Sequence, residues 1–204
     1  MLSPVKRVHF GKLFFDVWEN VYEPERDTFL LAENLEVERG SSVLDVGTGC
    51  GILGILAAEK AAEVIAIDLS PYAVRCAKKN SSLNKVGHKM TFIQADLLTV
   101  FDENSAFDLI LFNAPYLPAS EKEVETWIGR SWAGGFDGRQ VIDRFISQVE
   151  PHIKSGGRVL LMQSTLANVE ETIRRFREYH LKARVKAEQQ LPFFETLTLI
   201  EAEV

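Results

Sequence analysis

From residue 42 onward, short apolar runs alternate with amphipathic segments, and that alternation limits the folds open to the chain. Residues 42–46, 63–67, 89–93 and 107–112 read as strands, with helices predicted over 52–60 and 71–83. Ser70 is placed to cap the second of these helices and Pro71 to open it. Val141, Ile142, Phe145, Ile146 and Val149 recur at helical spacing, predicting a helix over 140–149. Gly156 and Gly157 then precede a strand at 158–162, an amphipathic helix around Val169, Ile173 and Phe176, and two closing antiparallel strands at 181–187 and 194–200. Short strands separated by helices require a mostly parallel sheet covered on both faces. The prediction is an α/β three-layer sandwich around a seven-stranded sheet. The 204 residues suit one domain, 1–204, with 1–40 as an N-terminal arm and first helix. Within that arm, 5–17 alternates loosely around Gly11 as a hairpin or capping arm would. Residues 22–35 have helical spacing, with Asp27 placed as the cap of the first turn and Gly40 as the stop.

Composition narrows the function classes. Hydrophobic residues make up 46% and charged residues 25%, as in soluble globular proteins, and the apolar runs are too short for a membrane helix. No leader-like segment opens the sequence, so the expected location is the cytoplasm. Cys50 and Cys76, both in stretches that read as buried, are too few for a disulfide framework. His9, His88, His152 and His180 make no ligand spacing with them, so no protein-held metal is expected. A formal charge of −6 does not favour non-specific binding to a phosphate backbone. Arg174, Arg175, Arg177, Lys182, Arg184 and Lys186 read as the solvent sides of a helix and a strand, and are the groups RNA would meet; nucleic acid stays open as a partner.

The most specific local feature is the turn Asp45-Val46-Gly47-Thr48-Gly49-Cys50-Gly51, with Gly54 three residues on. It follows a strand and opens a helix, where glycines let backbone approach a ligand closely. Gly49, Gly51 and Gly54 also satisfy the dinucleotide pattern, and Asp68 ends the next strand where it could hold two ribose hydroxyls. Charge separates the two cofactors. A pyrophosphate would meet the carboxylate of Asp45, whereas the ammonium and sulfonium of S-adenosylmethionine would welcome it. Asp96, after the third strand, is placed to accept from an adenine amino group.

The fourth strand runs into Asn113-Ala114-Pro115-Tyr116. A glycine turn of this kind followed by Asn-x-Pro-Tyr resembles the class I S-adenosylmethionine-dependent methyltransferases that modify planar nitrogens. Tyr22-Glu23-Pro24-Glu25-Arg26-Asp27-Thr28 and Trp132-Ala133-Gly134-Gly135-Phe136-Asp137-Gly138-Arg139 sharpen this to the HemK-like release-factor glutamine methyltransferases, over about residues 20–165. The resemblance implies a strand order of 3-2-1-4-5-7-6, counted along the main sheet, with the last strand antiparallel. It implies a donor site made of Pro24, Asp27, Thr28, Asp45, Gly47, Thr48, Gly49, Gly51, Asp68, Leu69, Asp96, Leu97 and Asn113. It implies catalysis by Asn113, Ala114, Pro115 and Tyr116, and an acceptor site of Asn113, Pro115, Tyr116, Trp132 and Gly135.

Two departures bear on the subfamily. Ala114 stands where members usually have proline, which removes some stiffness from the loop. The chain also opens without the helical domain that precedes the catalytic one in bacterial members, so it resembles the short archaeal and eukaryotic branch. Members of that branch pair with a small zinc-binding Trm112-like activator covering an edge strand, here the strand of Met90 and Phe92. The expected reaction is N5-methylation of the glutamine in a release factor's Gly-Gly-Gln motif, yielding S-adenosylhomocysteine. The tetrad itself suits any planar NH2, so adenine or guanine in DNA or RNA remains an alternative acceptor, as does protein lysine. A cofactor-binding scaffold is the non-enzymatic alternative. Residues 117–137 form a long connection after a strand's C-terminal end, where open α/β sheets place ligands. Trp127 and Trp132 read equally as substrate platforms or as pins, and Asp137 as the cap of the following helix. Glu121, Glu123 and Glu125 read as a solvated face.

Overall fold

The computed structural model describes residues 6–204. The chain opens with the antiparallel hairpin β1 (Lys6–Phe10) and β2 (Leu13–Val17), which turns at Gly11. Val5, included in the sequence reading of that arm, lies outside the described residues. Helix α1 (Arg26–Glu33) is capped by Asn34, well before Gly40. Asp27 is not its N-cap either. Glu25 holds that position, and Asp27 lies inside the first turn, buried.

The main sheet contains β3 (Ser42–Val46), β4 (Glu63–Asp68), β5 (Met90–Gln94), β6 (Phe107–Asn113), β7 (Ile153–Ser164), β8 (Lys182–Gln190) and β9 (Thr196–Glu203). Its order is β5-β4-β3-β6-β7-β9-β8, the expected topology offset by the two hairpin strands. β5, β4, β3, β6 and β7 run parallel, and β9 is antiparallel to both β7 and β8. The helices are α2 (Ile52–Ala58), α3 (Pro71–Leu83), the single turn α4 (Trp127–Arg130), α5 (Gln140–Val149) and α6 (Val169–Glu178). With α2 in contact with both α1 and α3, and α5 against α6, both faces of the sheet are covered and the central strands β3 and β6 are mostly buried. Ser70 caps α3 as expected, its hydroxyl accepting from Ala73 N–H at 3.4 Å.

A further local reading changes. Gly156 and Gly157 lie within β7, which begins at Ile153 and shifts register against β6 between Phe107 and Leu109. Extra residues of this kind bend a strand without ending it. Met90 is buried beneath α2 and Phe92 is half-buried against the core, so what β5 leaves open is its backbone edge. Among the described residues, no helix is long and apolar enough to cross a membrane.

Parallel register places the ends of three strands together. Val46 pairs with Ile67 on one side and Phe112 on the other, so the glycine turn, Asp68 and Asn113 emerge at the same edge.

Candidate active site

A cavity of about 450 Å³ opens at that edge, within the range of small-ligand sites. Pro24, Asp27, Thr28, Gly47, Thr48, Gly49, Asp68, Leu69, Asp96, Leu97, Asn113, Ala114, Pro115, Tyr116 and Trp132 all line it. Asp45, Gly51 and Gly135 do not.

Asp45 lies beneath the glycine turn, fully buried. Its Oδ2 accepts from Thr48 Oγ1 at 2.6 Å and from Gly54 N–H at 3.0 Å, tying the turn to the start of α2. A Cβ on Gly54 would lie 2.8 Å from that same oxygen, which explains the glycine there. Oδ1 has no partner among the described residues. Burial pushes the Asp45 carboxyl up to about 7, against the pull of Thr48 and Gly54. The sequence reading set this carboxylate at the ligand; the structure gives it the prior task of clamping the turn. Gly51 is likewise a packing position, its missing Cβ lying 3.0 Å from Ala77.

Asp68 is on the cavity wall. It accepts from Gly49 N–H at 3.0 Å and from Ser70 N–H at 2.8 Å, and each oxygen keeps a further lone pair. Burial raises its pKa while these two amides lower it. Asp96 also reaches the cavity, with Oδ2 paired to Arg144 at 2.7 Å. Leu97 beside it is held at φ +50°, a backbone state rare for a bulky residue and one with no sequence signal.

On the facing side, α1 and β6 meet. Asn113 Nδ2 donates to Asp27 Oδ2 at 3.2 Å and to Thr28 Oγ1 at 3.0 Å. Its Oδ1 is buried without a partner among the described residues. Tyr116 Oη donates to Asp27 Oδ2 at 3.3 Å, and Tyr22 Oη donates to both oxygens at 3.2 and 3.1 Å. Burial, followed by the charge of Asp27, raises the pKa of both phenols, so both stay protonated; Glu195 adds to the effect on Tyr116. Tyr22 was quoted above only within a motif, and Glu195 and Arg144 carried no signal in the sequence.

The long connection is ordered by its own backbone. Leu117 N–H donates to Trp132 C=O at 3.0 Å, Gly134 N–H to Leu117 C=O at 2.8 Å and Ala119 N–H to Gly135 C=O at 2.8 Å. Gly135 and Gly138 therefore act as structural parts of this strap. A Cβ on Gly138, at φ +75°, would come within 2.3 Å of the Tyr116 carbonyl oxygen. Trp127 and Trp132 both reach the cavity wall, and Trp127 also packs edge-on against Tyr72. Asp137 accepts from Arg139 N–H at 3.0 Å in the turn ahead of α5, but Arg139 is the N-cap. Glu121, Glu123 and Glu125 are exposed. The basic groups of α6 and β8 are largely balanced: Arg174 pairs with Glu171 and Glu178, and Arg184 and Lys186 with Glu201.

These residues fit S-adenosylmethionine. Asp68 offers acceptors beside a glycine turn, and among the described residues Arg130 and Arg144 are the basic side chains on the cavity wall, Arg144 being already paired with Asp96. Comparison with known proteins agrees. The profile of the ribosomal protein L11 methyltransferase family matches residues 28–114, which spans the glycine turn and ends within the tetrad. A chain from Methanocaldococcus jannaschii named as a protein N5-glutamine methyltransferase is 38% identical over 88% of this chain and 90% of its own. The human methyltransferase HEMK2 is 32% identical over 81% of this chain and 80% of its own. Among solved structures, Mtq2 of E. cuniculi matches with a TM-score of 0.67 at 25% identity, covering 90% of this chain and 98% of that one. It was determined in complex with Trm112, an assembly described as responsible for methylation of the eRF1 translation termination factor.

Proposed function

The chain belongs to the HemK-like protein N5-glutamine methyltransferases, and from that premise we propose that it methylates the side-chain amide of glutamine in the Gly-Gly-Gln motif of a translation release factor. The observation that carries this reading is the buried, unpartnered Oδ1 of Asn113, at the end of a strand whose neighbour ends in the glycine turn. A buried acceptor without a partner is costly, and a ligand N–H is what satisfies it.

S-adenosylmethionine, when bound, supplies an electrophilic methyl group; the rest is done by the chain. Thr48, Gly49, Asp68, Leu69, Asp96 and Leu97 line its site, with Asp45 and Gly51 holding the turn in shape from beneath. Amide nitrogen is a poor nucleophile because its lone pair is delocalised into the carbonyl. Asn113 Oδ1 and the Ala114 carbonyl accept the two hydrogens of the target NH2, fix its plane and stabilise positive charge as it develops on nitrogen. Pro115 sets the chain direction between them, and the Tyr116 ring gives the flat amide a wall. Glu25 and Asp27 bring carboxylates to this end of the cavity wall, which disfavours a nucleic-acid backbone there.

The relative's complex with Trm112 supports a small activator of that kind for this chain, seated on the free backbone edge of β5. The test is incubation with deuterium-labelled methyl donor, with and without such a partner, and a mixture of release factor, DNA and tRNA, followed by mass spectrometry. The expected label is on the glutamine side chain of the Gly-Gly-Gln motif. Label on a nucleobase or a lysine would replace this reading with one of its alternatives.

A further inference from the structure

Asp27 was expected at the methyl donor, yet its carboxylate is already fully engaged. It accepts from Tyr22 Oη through both oxygens, from Thr28 N–H at 2.6 Å, from Thr28 Oγ1 at 3.2 Å, from Asn113 Nδ2 at 3.2 Å and from Tyr116 Oη at 3.3 Å. Five donor groups are thus gathered around about four lone-pair sites. Two of those donors belong to the tetrad.

We propose that Asp27 is a positioning residue that fixes the orientation of the Asn113 amide, so that its oxygen and not its NH2 is left free for the acceptor. The inference deepens the proposed function and rests on it for the identity of the acceptor. An ionised carboxylate can only accept, so it must face the NH2 end of Asn113. The Thr28 hydroxyl donates its single hydrogen to Asp27 Oδ1, which leaves its lone pairs for the second amide hydrogen, at 3.0 Å. Both hydrogens of Asn113 are committed, and Oδ1 is turned away from them. In the flipped amide, Oδ1 would face the Asp27 carboxylate across the same distance with no hydrogen between them. Its NH2 would then confront the NH2 of the acceptor, donor against donor. The same carboxylate holds the Tyr116 hydroxyl, so one buried charge orients both polar side chains of the tetrad. The positions are 86 and 89 residues from Asp27 along the chain, and α1 brings them within reach.

The variant Asp27→Asn keeps the shape and removes the obligation, because an asparagine can offer either an acceptor or a donor to Asn113. Four measurements on the full chain test the assignment: S-adenosylhomocysteine affinity by calorimetry, kcat and acceptor KM with a release factor, the cycle with Asn113→Ala, and hydrogen exchange of the Asn113 side-chain amide by NMR. The expected kcat falls about 100-fold, the scale of a misoriented catalytic group, while S-adenosylhomocysteine affinity and acceptor KM stay within about threefold. Asp27→Asn should cost far less in the Asn113→Ala background than alone, because its main effect acts through the group already removed and only what passes through Tyr116 is left. The Asn113 side-chain hydrogens should exchange slowly in the natural chain and much faster in Asp27→Asn. Unchanged kcat would overturn the proposal. A parallel loss of S-adenosylhomocysteine affinity would overturn it too, returning Asp27 to the donor site, and so would multiplicative losses in the cycle. The exchange measurement needs no acceptor. If the natural chain leaves the release factor unmethylated, the proposed function fails while the orientation of Asn113 is still read. Should Asp27→Asn fold poorly, Thr28→Val removes the second amide contact together with the hydroxyl's own bond to Asp27 and should speed the same exchange; unchanged exchange would count against the proposal.

Discussion

The two walls of the cavity are built in different ways. On the donor side the contacts that hold Asp45 and Asp68 are short in sequence: Thr48 and Gly54 reach Asp45, and Gly49 and Ser70 reach Asp68, within β3, α2, β4 and the turns around them. On the acceptor side Asn113 is oriented from α1, and Tyr116 is influenced by Glu25 and Glu195, which come from opposite ends of the chain. The donor wall is a local motif that carries its own scaffold. The acceptor wall exists only once the whole sheet has formed. The two should therefore fail separately, and that separation can be broken or sharpened by substitution.

The largest expected effect is on Asn113→Ala. Removing a group that stabilises developing charge costs about 10²–10³-fold in kcat, and S-adenosylhomocysteine affinity should stay within about threefold by calorimetry. If affinity collapses with turnover, the walls are not independent. A pair of glycines gives a sharper comparison. Gly138→Ala pushes a Cβ against the Tyr116 carbonyl from a left-handed backbone, at a cost of about 1–3 kcal/mol, and should damage turnover while sparing S-adenosylhomocysteine affinity. Gly54→Ala forces Asp45 Oδ2 or Met90 to move, with a similar cost in a thermal melt, and should weaken S-adenosylhomocysteine binding about tenfold. Equal effects of the two on binding would remove the distinction.

A third expectation concerns pH. The Asp45 carboxyl is raised by burial to about 7 from an ordinary 3.8, so the folded chain holds a proton that the unfolded chain has released. Its stabilising contribution is complete below about pH 4 and is lost as pH rises through about 7. Unfolding by urea across pH 4–8, without cofactor, should show this decline, and Asp45→Asn should flatten it. A variant with the same slope as the natural chain would place the decline elsewhere. The smallest effect is expected from Arg144→Ala. It breaks a half-exposed pair with Asp96, should change stability by less than about 1 kcal/mol, and should leave S-adenosylhomocysteine affinity nearly unchanged.

The same contrast explains what was legible in the sequence. Strand–helix alternation, the Ser70-Pro71 helix start and the glycine turn are local patterns whose physics is complete within a few residues. They led to the observed sheet and to the residues of the donor wall. The order of the strands and the meaning of Asn113 to Tyr116 came from resemblance, because nothing local distinguishes that tetrad from a surface turn. Asp45 and Gly51 were assigned to the ligand although they lie behind the wall, since a pattern of residue types does not say which side of a turn a carboxylate occupies. The occupation of Asp27 was hidden for a related reason: its partners Asn113 and Tyr116 are brought to it only by the packing of α1 against the end of β6. Gly134, Gly135 and Gly138 appear in the sequence only as part of a motif, and their close backbone contacts in an ordered strap become visible only in the fold.

The central claim is that Asn113 Oδ1 and the Ala114 carbonyl hold a planar amide nitrogen toward the methyl donor's site. A crystal structure of the chain with S-adenosylhomocysteine and a glutamine-containing release-factor peptide tests it most directly. The account predicts the glutamine nitrogen within hydrogen-bonding distance of both oxygens, with the homocysteine sulfur facing it across the cavity and Asn113 Nδ2 still on Asp27. An Asn113 side chain turned away from the peptide, with the glutamine nitrogen held by other groups, would contradict it.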